Sequence, residues 1–145
     1  MTKLELTSPA FSDGGEIPRE CGYKNGNEAP PLKINGITKR IKSLALIMDD
    51  PDAMGAVGKI WVHWVAWNID PTKTELAKST EGMTDFGEVG YGGPAPPDKR
   101  HTYVFKLYAL DSKLDLPGKS TKADVEKAMK GHIIEQATLE GTYAP

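Results

Sequence analysis

Apolar side chains follow strand-like patterns in three segments of the first half of the chain. Leu4 and Leu6 alternate with polar neighbours, which predicts a short, half-buried strand. From its second residue on, segment 43–48 is continuously apolar, which is typical of a fully buried strand, and the run stops at the acidic sequence 49–52. Residues 59–68 are apolar on both faces and predict a strand in the centre of the core. Strict alternation would place these side chains on one face: Trp61, His63, Val65 and Trp67.

The second half of the chain predicts a strand, a helix and a final strand. Residues 101–110 alternate between two faces, as a strand does. Thr121, followed three residues later by Asp124, resembles a capping box, and apolar residues then recur at helical spacing as far as Ile133. Residues 137–143 alternate again. These elements predict a mainly β fold, a two-sheet antiparallel β-sandwich with a C-terminal amphipathic helix.

Two long segments lack a regular pattern. Residues 9–31 are rich in glycine, proline and asparagine, and their apolar content is too thin to make a core, so we expect them to wrap over one. Residues 72–99 form a weakly periodic excursion that closes on the glycine- and proline-rich sequence 90–97. A loop of that length is usually functional or disordered.

Composition narrows the class of protein. The chain has 145 residues with 39% hydrophobic and 26% charged residues, which is ordinary for a soluble globular protein and predicts a single domain over residues 1–145. A net charge of −2, without a dense basic block, excludes a nucleic-acid footprint. Cys21 is the lone cysteine, so an intrachain disulfide or a multi-cysteine metal site is excluded. The N-terminus lacks the apolar core of a signal peptide and no apolar run is long enough for a transmembrane segment, so we expect a cytoplasmic protein.

Two histidines are the first candidates for chemistry. An imidazole at His63, among tryptophan and valine, needs a hydrogen-bond partner, and Asp50 could accept from one ring nitrogen while the other faces a cavity. The alternative is a satisfied core histidine. His101 and Tyr103 share a strand face about 6 to 7 Å apart, so both could reach one small ligand. Alternatively, the histidine only begins a strand and Tyr103 only packs in the core.

Carboxylates and a glycine pair complete the candidate site. Asp50 and Asp52 flank Pro51, where aspartate also serves ordinary turn formation. Gly93 follows another glycine, and this pair could bring a backbone N–H close to a ligand or simply make a turn. Several convergent donors favour an anion, and phosphate or a phosphomonoester matches them better than a carboxylate does. If imidazolium contributes, binding weakens as the pH rises through the histidine pKa values.

Several separated motifs, in the same order, resemble the phosphatidylethanolamine-binding protein family, which includes Raf kinase inhibitor protein. The resemblance covers nearly the whole chain and is strongest to the short bacterial and archaeal branch. The motifs that carry it are Asp50-Pro51-Asp52, Trp61-Val62-His63-Trp64, Gly93-Pro94-Ala95-Pro96-Pro97 and His101-Thr102-Tyr103-Val104-Phe105. The chain departs from the usual pattern in having Met54 at the pocket lip and Thr102 between the histidine and the tyrosine.

This resemblance implies a Greek-key sandwich with a small anion pocket and, for the short branch, a homodimer. It implies a pocket built by the residues that match the family motifs, which are Asp50, Asp52, His63, Gly93, His101 and Tyr103. The resemblance implies neither a cofactor nor a metal.

The expected function is that of a non-enzymatic binding protein for phosphate or a phosphorylated head group, with a kinase or protease as a further partner. One alternative is a hydrolase with His63 and His101 as acid and base, although the chain has no Gly-x-Ser-x-Gly motif. Another is an inhibitor of a kinase or serine protease that acts through the surface loops 13–29 and 70–97. A three-ligand metal site from the two histidines and Asp50 is a further alternative.

Overall fold

The computed structural model describes residues 3–76 and 79–145. The described residues do not include Met1, Thr2, Ala77 and Lys78. The predictions for the N-terminus, for a single domain over 1–145 and for segment 72–99 include these residues, and that part of each prediction lies outside the described residues. The strands of the described part are β1 (Glu5–Thr7), β2 (Lys33–Asn35), β3 (Ser43–Asp50), β4 (Trp61–Ile69), β5 (Thr80–Glu81), β6 (His101–Leu110) and β7 (Ile133–Tyr143). Its helices are α1 (Ala53–Val57), α2 (Lys122–Met129) and a 3₁₀ turn (Arg19–Cys21).

Two antiparallel sheets confirm the mainly β prediction. Strands β1 and β2 pair with each other, and the larger sheet has the order β5-β4-β3-β6-β7 with every neighbouring pair antiparallel. All eight residues of β3 are buried, because this strand has neighbours on both edges and packing on both faces. The strand predicted to be central is therefore next to the middle, since β4 flanks β3. The Greek-key connection stays a prediction.

Each face of the larger sheet packs against a different layer. On the front face, side chains such as Met48 and Phe105 contact the small sheet and the N-terminal loop through Leu6, Phe11 and Ile34. The loop 9–31 therefore contributes core side chains such as Phe11 and Ile17. Strand β2 follows this loop, and its three-residue Lys-Ile-Asn pattern is too short to reveal a strand. On the opposite face, called the helix face, α2 contributes side chains to a second cluster made of Ala45, Ile47, Val65, Trp67, Leu110, Leu114, Val125 and Met129.

Helix α2 begins where its capping residues predict. The Thr121 hydroxyl accepts the Asp124 N–H and the Asp124 carboxylate accepts the Thr121 N–H, which is a complete capping box. The prediction that helical spacing continues to His132 and Ile133 was wrong. The helix stops at Met129, Gly131 adopts a left-handed φ of 85°, and the chain then turns directly into β7. Neither described helix combines the length and the apolarity that crossing a membrane requires.

Because of a β-bulge in β4, the side chains of that strand do not lie on the faces that strict alternation predicted. Met48 pairs with Trp64, but the next residue of β3, Asp49, pairs with Val62, so His63 is an extra residue on β4. Trp64 consequently packs into the front cluster, whereas Val65 and Trp67 belong to the helix-face cluster. The prediction that His63 shares a face with Val65 and Trp67 was wrong, because a bulge shifts the alternation by one residue.

Candidate functional site

Four of the predicted site residues line one cavity on the front face. Asp50 ends β3, His63 lies on the bulge of β4, and His101 and Tyr103 begin β6, so three adjacent strands bring them together. The cavity has a volume of about 140 Å³. Its remaining wall is apolar and comes from α1, the first residue of β4 and two loops, with the residues Ala53, Ala56, Val57, Trp61, Phe86, Ala95 and Pro97.

His101 is held between two carboxylates. Its Nδ1 lies 2.6 Å from Asp50 Oδ2 and its Nε2 lies 2.7 Å from Asp98 Oδ1. Because a carboxylate can only accept, both ring nitrogens donate and the ring is an imidazolium. Burial by itself lowers the pKa of His101, but the hydrogen bonds and charges of Asp50 and Asp98 outweigh burial and raise that pKa above its ordinary value.

The two carboxylates beside His101 differ in how firmly they are held. The side chain of Asp50 is 4% exposed, and its second oxygen accepts the Asp52 N–H at 2.9 Å. The side chain of Asp98 is 42% exposed and lies in the loop that leads into β6. The hydrogen bond from His101 lowers the pKa of Asp98 below its ordinary value, so this carboxylate is charged at neutral pH.

His63 takes its partner from the backbone rather than from a carboxylate. Its Nδ1–H donates to the Gly92 carbonyl oxygen at 2.7 Å, so the expectation that Asp50 would be its partner was wrong. Burial lowers the pKa of His63, and the Gly92 carbonyl and the charge of Asp50 only partly oppose this effect. The ring is therefore neutral at pH 7, and Nε2 is the nitrogen left for a guest in the cavity.

Tyr103 contributes a hydroxyl group without a partner. The residue is fully buried, and its Oη makes no hydrogen bond; among the described residues, the other such buried side-chain atom is Trp67 Nε1 on the helix face. Burial and the charge of Asp50 raise the pKa of Tyr103, so the phenol keeps its proton; the Ala95 amide opposes this shift without meeting hydrogen-bond geometry. A buried donor that lines a cavity and lacks an acceptor is unusual in folded proteins and indicates a place for water or a ligand.

Asp52 and Gly93 lie outside the lining of the cavity. Asp52 is exposed, and its carboxylate accepts the Thr102 N–H at 2.8 Å, which ties the start of α1 to β6. The Gly93 N–H donates to Asn27 Oδ1 at 2.7 Å, and a Cβ at Gly93 would overlap the Cys21 carbonyl oxygen. In this arrangement the glycine allows close backbone packing, and its N–H is not available to a ligand.

Comparison with known proteins places this arrangement in a family. The sequence profile described as "Phosphatidylethanolamine-binding protein" matches residues 7–144. The chain belongs to the phosphatidylethanolamine-binding protein family. Among its relatives, a UPF0098 protein of the archaeon Methanothermobacter thermautotrophicus is 43% identical, over 97% of this chain and 98% of its own length.

Solved structures of family homologues share the fold. A phosphatidylethanolamine-binding protein homolog from Chlamydia trachomatis superposes with a TM-score of 0.92 at 38% identity, over 99% of this chain and 98% of the other. YbcL of Escherichia coli, described as a new member of the mammalian family, superposes with a TM-score of 0.87 at 29% identity, over 97% and 98% of the two chains. The resemblance to the family that the motifs predict is thereby confirmed.

Three features of the cavity and its surroundings were not predicted from the sequence patterns. Asp98 bonds to His101 from three residues upstream, a spacing that could have suggested it. Phe86, which packs edge-on against His63 with ring centroids 5.3 Å apart, comes from the weakly patterned excursion and gave no signal. The short helix α1 follows Asp52, which occupies the N-cap position, and aspartate is a favoured N-cap residue.

Two further kinds of site were considered, a reactive cysteine and a metal site. Burial, together with the charges of Glu20 and Glu28, raises the pKa of the Cys21 thiol to about 11, so this cysteine is a poor nucleophile. Within the described ranges 3–76 and 79–145, no three histidine, cysteine, aspartate or glutamate side chains are grouped to hold a metal ion.

Proposed function

We propose that this family member is a non-enzymatic binding protein whose front-face cavity takes a small anion, a phosphate or the head group of a phosphomonoester. The observation that carries the proposal is the Tyr103 hydroxyl, which is fully buried, unpartnered and beside both histidines in the wall of the cavity. An anionic oxygen is the acceptor that this donor lacks.

The chemistry of the neighbouring groups supports the same guest. Neutral His63 can accept a hydrogen bond from a protonated phosphate oxygen, or donate one after it takes up a proton. His101 supplies a positive charge at the same wall. The volume of about 140 Å³ is well below the roughly 300–1,000 Å³ of pockets for drug-sized ligands, so the guest is a single head group.

Calorimetry with inorganic phosphate, phosphoethanolamine and acetate tests this proposal. We expect Tyr103→Phe to weaken phosphate binding by about ten- to a hundredfold, since a hydrogen bond to a charged group contributes about 1.5–3 kcal/mol. Tyr108→Phe is the matched control, because Tyr108 lies on the same strand but faces the helix-face cluster. Undetectable binding by the wild-type protein, or equal affinities for both variants, would contradict the proposal.

The geometry favours binding over hydrolysis. Both nitrogens of His101 are occupied by carboxylates, and the raised pKa of Tyr103 keeps its hydroxyl protonated. The free Nε2 of neutral His63 could act as a base, but among the described residues the cavity lining holds no serine, threonine, cysteine or lysine that it could activate as a nucleophile. We expect no turnover of chromogenic phosphate or carboxylate esters. Turnover that is lost in His101→Ala would overturn this choice.

The remaining sequence-based expectations stay predictions. They are regulation or inhibition of a kinase or protease, pairing as a homodimer, location in the cytoplasm, and the Greek-key and amphipathic details of the fold. None of them is needed for anion binding at the cavity.

A further inference from the structure

An acidic side chain already occupies the nitrogen of His101 that an anion would use. Asp98 Oδ1 lies 2.7 Å from Nε2, while Nδ1 is taken by Asp50. A carboxylate oxygen and a phosphate oxygen make the same kind of charge-assisted hydrogen bond to an imidazolium. Asp98 is not itself among the residues that line the cavity, but it holds the Nε2–H of a ring that is, so this donor becomes available to a guest only when Asp98 releases it.

Of the two carboxylates, Asp98 is the one that can move. Asp50 is nearly fully buried, and both of its oxygens accept hydrogen bonds, from His101 and from the Asp52 backbone. Asp98 is 42% exposed on a loop, and its other neighbours are backbone amides of its own turn. Rotation of Asp98 into solvent would leave the buried pair of Asp50 and His101 intact, because water can solvate the released carboxylate.

The charge of the cluster also opposes a second anion while Asp98 is in place. Two carboxylates and one imidazolium carry a net charge of −1, and neutral His63 adds nothing to it. When Asp98 turns away, the buried pair is neutral and an Nε2–H donor is free. Like charges repel most strongly at such short range in a partly buried site, so binding is favoured only after this exchange.

We propose that Asp98 is a tethered carboxylate that competes with the anion for His101 Nε2, so that binding is an exchange in which Asp98 moves to solvent. This inference rests on the proposed function, because it concerns the same cavity. It assigns Asp98 a regulatory role: the side chain lowers the affinity and keeps the site closed to weak ligands. Acetate offers the same chemistry as Asp98 without the tether and displaces it poorly, whereas phosphate can also reach the Tyr103 hydroxyl.

The test compares Asp98→Ala with Asp115→Ala, which removes one exposed carboxylate that makes no hydrogen bond to His101. Calorimetry with inorganic phosphate and, separately, with phosphoethanolamine should give affinities about tenfold tighter for Asp98→Ala than for wild type, since the competing charged hydrogen bond is gone. Asp115→Ala should stay within about twofold of wild type, as expected for an exposed charge outside the cavity. Asp98→Asn keeps the shape of the side chain but is a weaker hydrogen-bond acceptor, so its phosphate affinity should lie between those of wild type and Asp98→Ala. This variant replaces Asp98→Ala in the test if the alanine variant does not fold.

The outcomes separate the two proposals. If wild type and both Asp98 variants bind phosphate equally, or the variants bind more weakly, the exchange is wrong and the proposed function stands. If none of the proteins binds either phosphate compound, the proposed function fails and the exchange fails with it.

Discussion

Two adjacent carboxylates at the end of β3 point to opposite faces of the sheet and have opposite surroundings. Asp49, on the helix face, accepts hydrogen bonds from Lys122 at 2.8 Å and Lys106 at 3.2 Å. Asp50, on the front face, bonds to His101, which holds a second carboxylate and lines a cavity. The ion pairs of Asp49 with two lysines have a structural role, because Lys122 begins α2 and thereby links this helix to the sheet. Excess acid, a spare hydroxyl and open space on the other face are features of a binding site.

The largest expected effect is the difference in protein stability between replacing Asp50 on the front face and replacing Asp49 on the helix face. We expect Asp50→Ala to lower the free energy of unfolding by about 3 kcal/mol, because it leaves the almost fully buried His101 without its fixed partner. Asp49→Ala should cost only about 1–2 kcal/mol, because the side chains of Lys106 and Lys122 are 32% and 20% exposed and their ammonium groups can turn to water. Urea unfolding of both variants measures this order. Equal losses, or a larger loss for Asp49→Ala, would remove the distinction.

The pH dependence of stability should be a property of the front-face cluster. The folded pKa of His101 is raised above 6.5, so its contribution is complete below pH 6.5 and is lost as the pH rises through the folded pKa. The folded pKa of Asp98 is lowered below 3.8, so its contribution is present above about pH 4 and is lost as the pH falls through the folded value. The difference in unfolding free energy between wild type and His101→Gln should therefore peak between about pH 4 and 6.5.

Unfolding curves at a series of pH values, with His132→Gln as a surface control, check this window. His132 bonds to Asp111 with both side chains about half exposed, so its replacement should change stability little at any pH. A wild-type advantage over His101→Gln that grows above pH 8 would contradict the assignment.

Anion affinity should depend on pH through His63. Its pKa is lowered below 6.5, so the empty site holds a neutral ring, and an anion favours the protonated one. Affinity should rise by up to about tenfold per pH unit as the pH falls below neutrality, the limit for uptake of one proton. Calorimetry with sulfate, whose own charge is constant over this range, gives the measurement. A slope that is unchanged in His63→Gln would show that another group titrates.

The smallest effect concerns the two tyrosines buried on the front side. The Tyr143 hydroxyl donates to the Arg19 carbonyl and accepts from Asn25, so Tyr143→Phe should cost about 1–2 kcal/mol. Tyr103→Phe should change the stability of the empty protein by less than about 0.5 kcal/mol, because no partner loses a hydrogen bond. Thermal and urea unfolding measure both. A loss in Tyr103→Phe as large as that in Tyr143→Phe would mean that the hydroxyl is already satisfied.

Local sequence patterns were enough to predict the strands that carry the site, but not the contacts between residues inside the site. The continuous apolar run before Asp49 and the alternation from His101 onward were enough to locate β3 and β6, because burial on one or both faces imposes those periods. The bulge at His63 depends on the register between two strands, which is not visible along one of them. The bond from His63 to Gly92 joins residues 29 positions apart in the chain, so no local pattern could indicate it.

A titration that follows each histidine separately tests the central claim most directly. The chain has three histidines, His63 and His101 in the cavity wall and His132 on the surface, and imidazole NMR resonances assigned with single His→Gln variants distinguish them. On addition of inorganic phosphate at constant pH, the resonances of His63 and His101 should shift together and saturate while those of His132 stay in place. Resonances of all three that move alike, or cavity resonances that do not move, would contradict an anion site in this cavity.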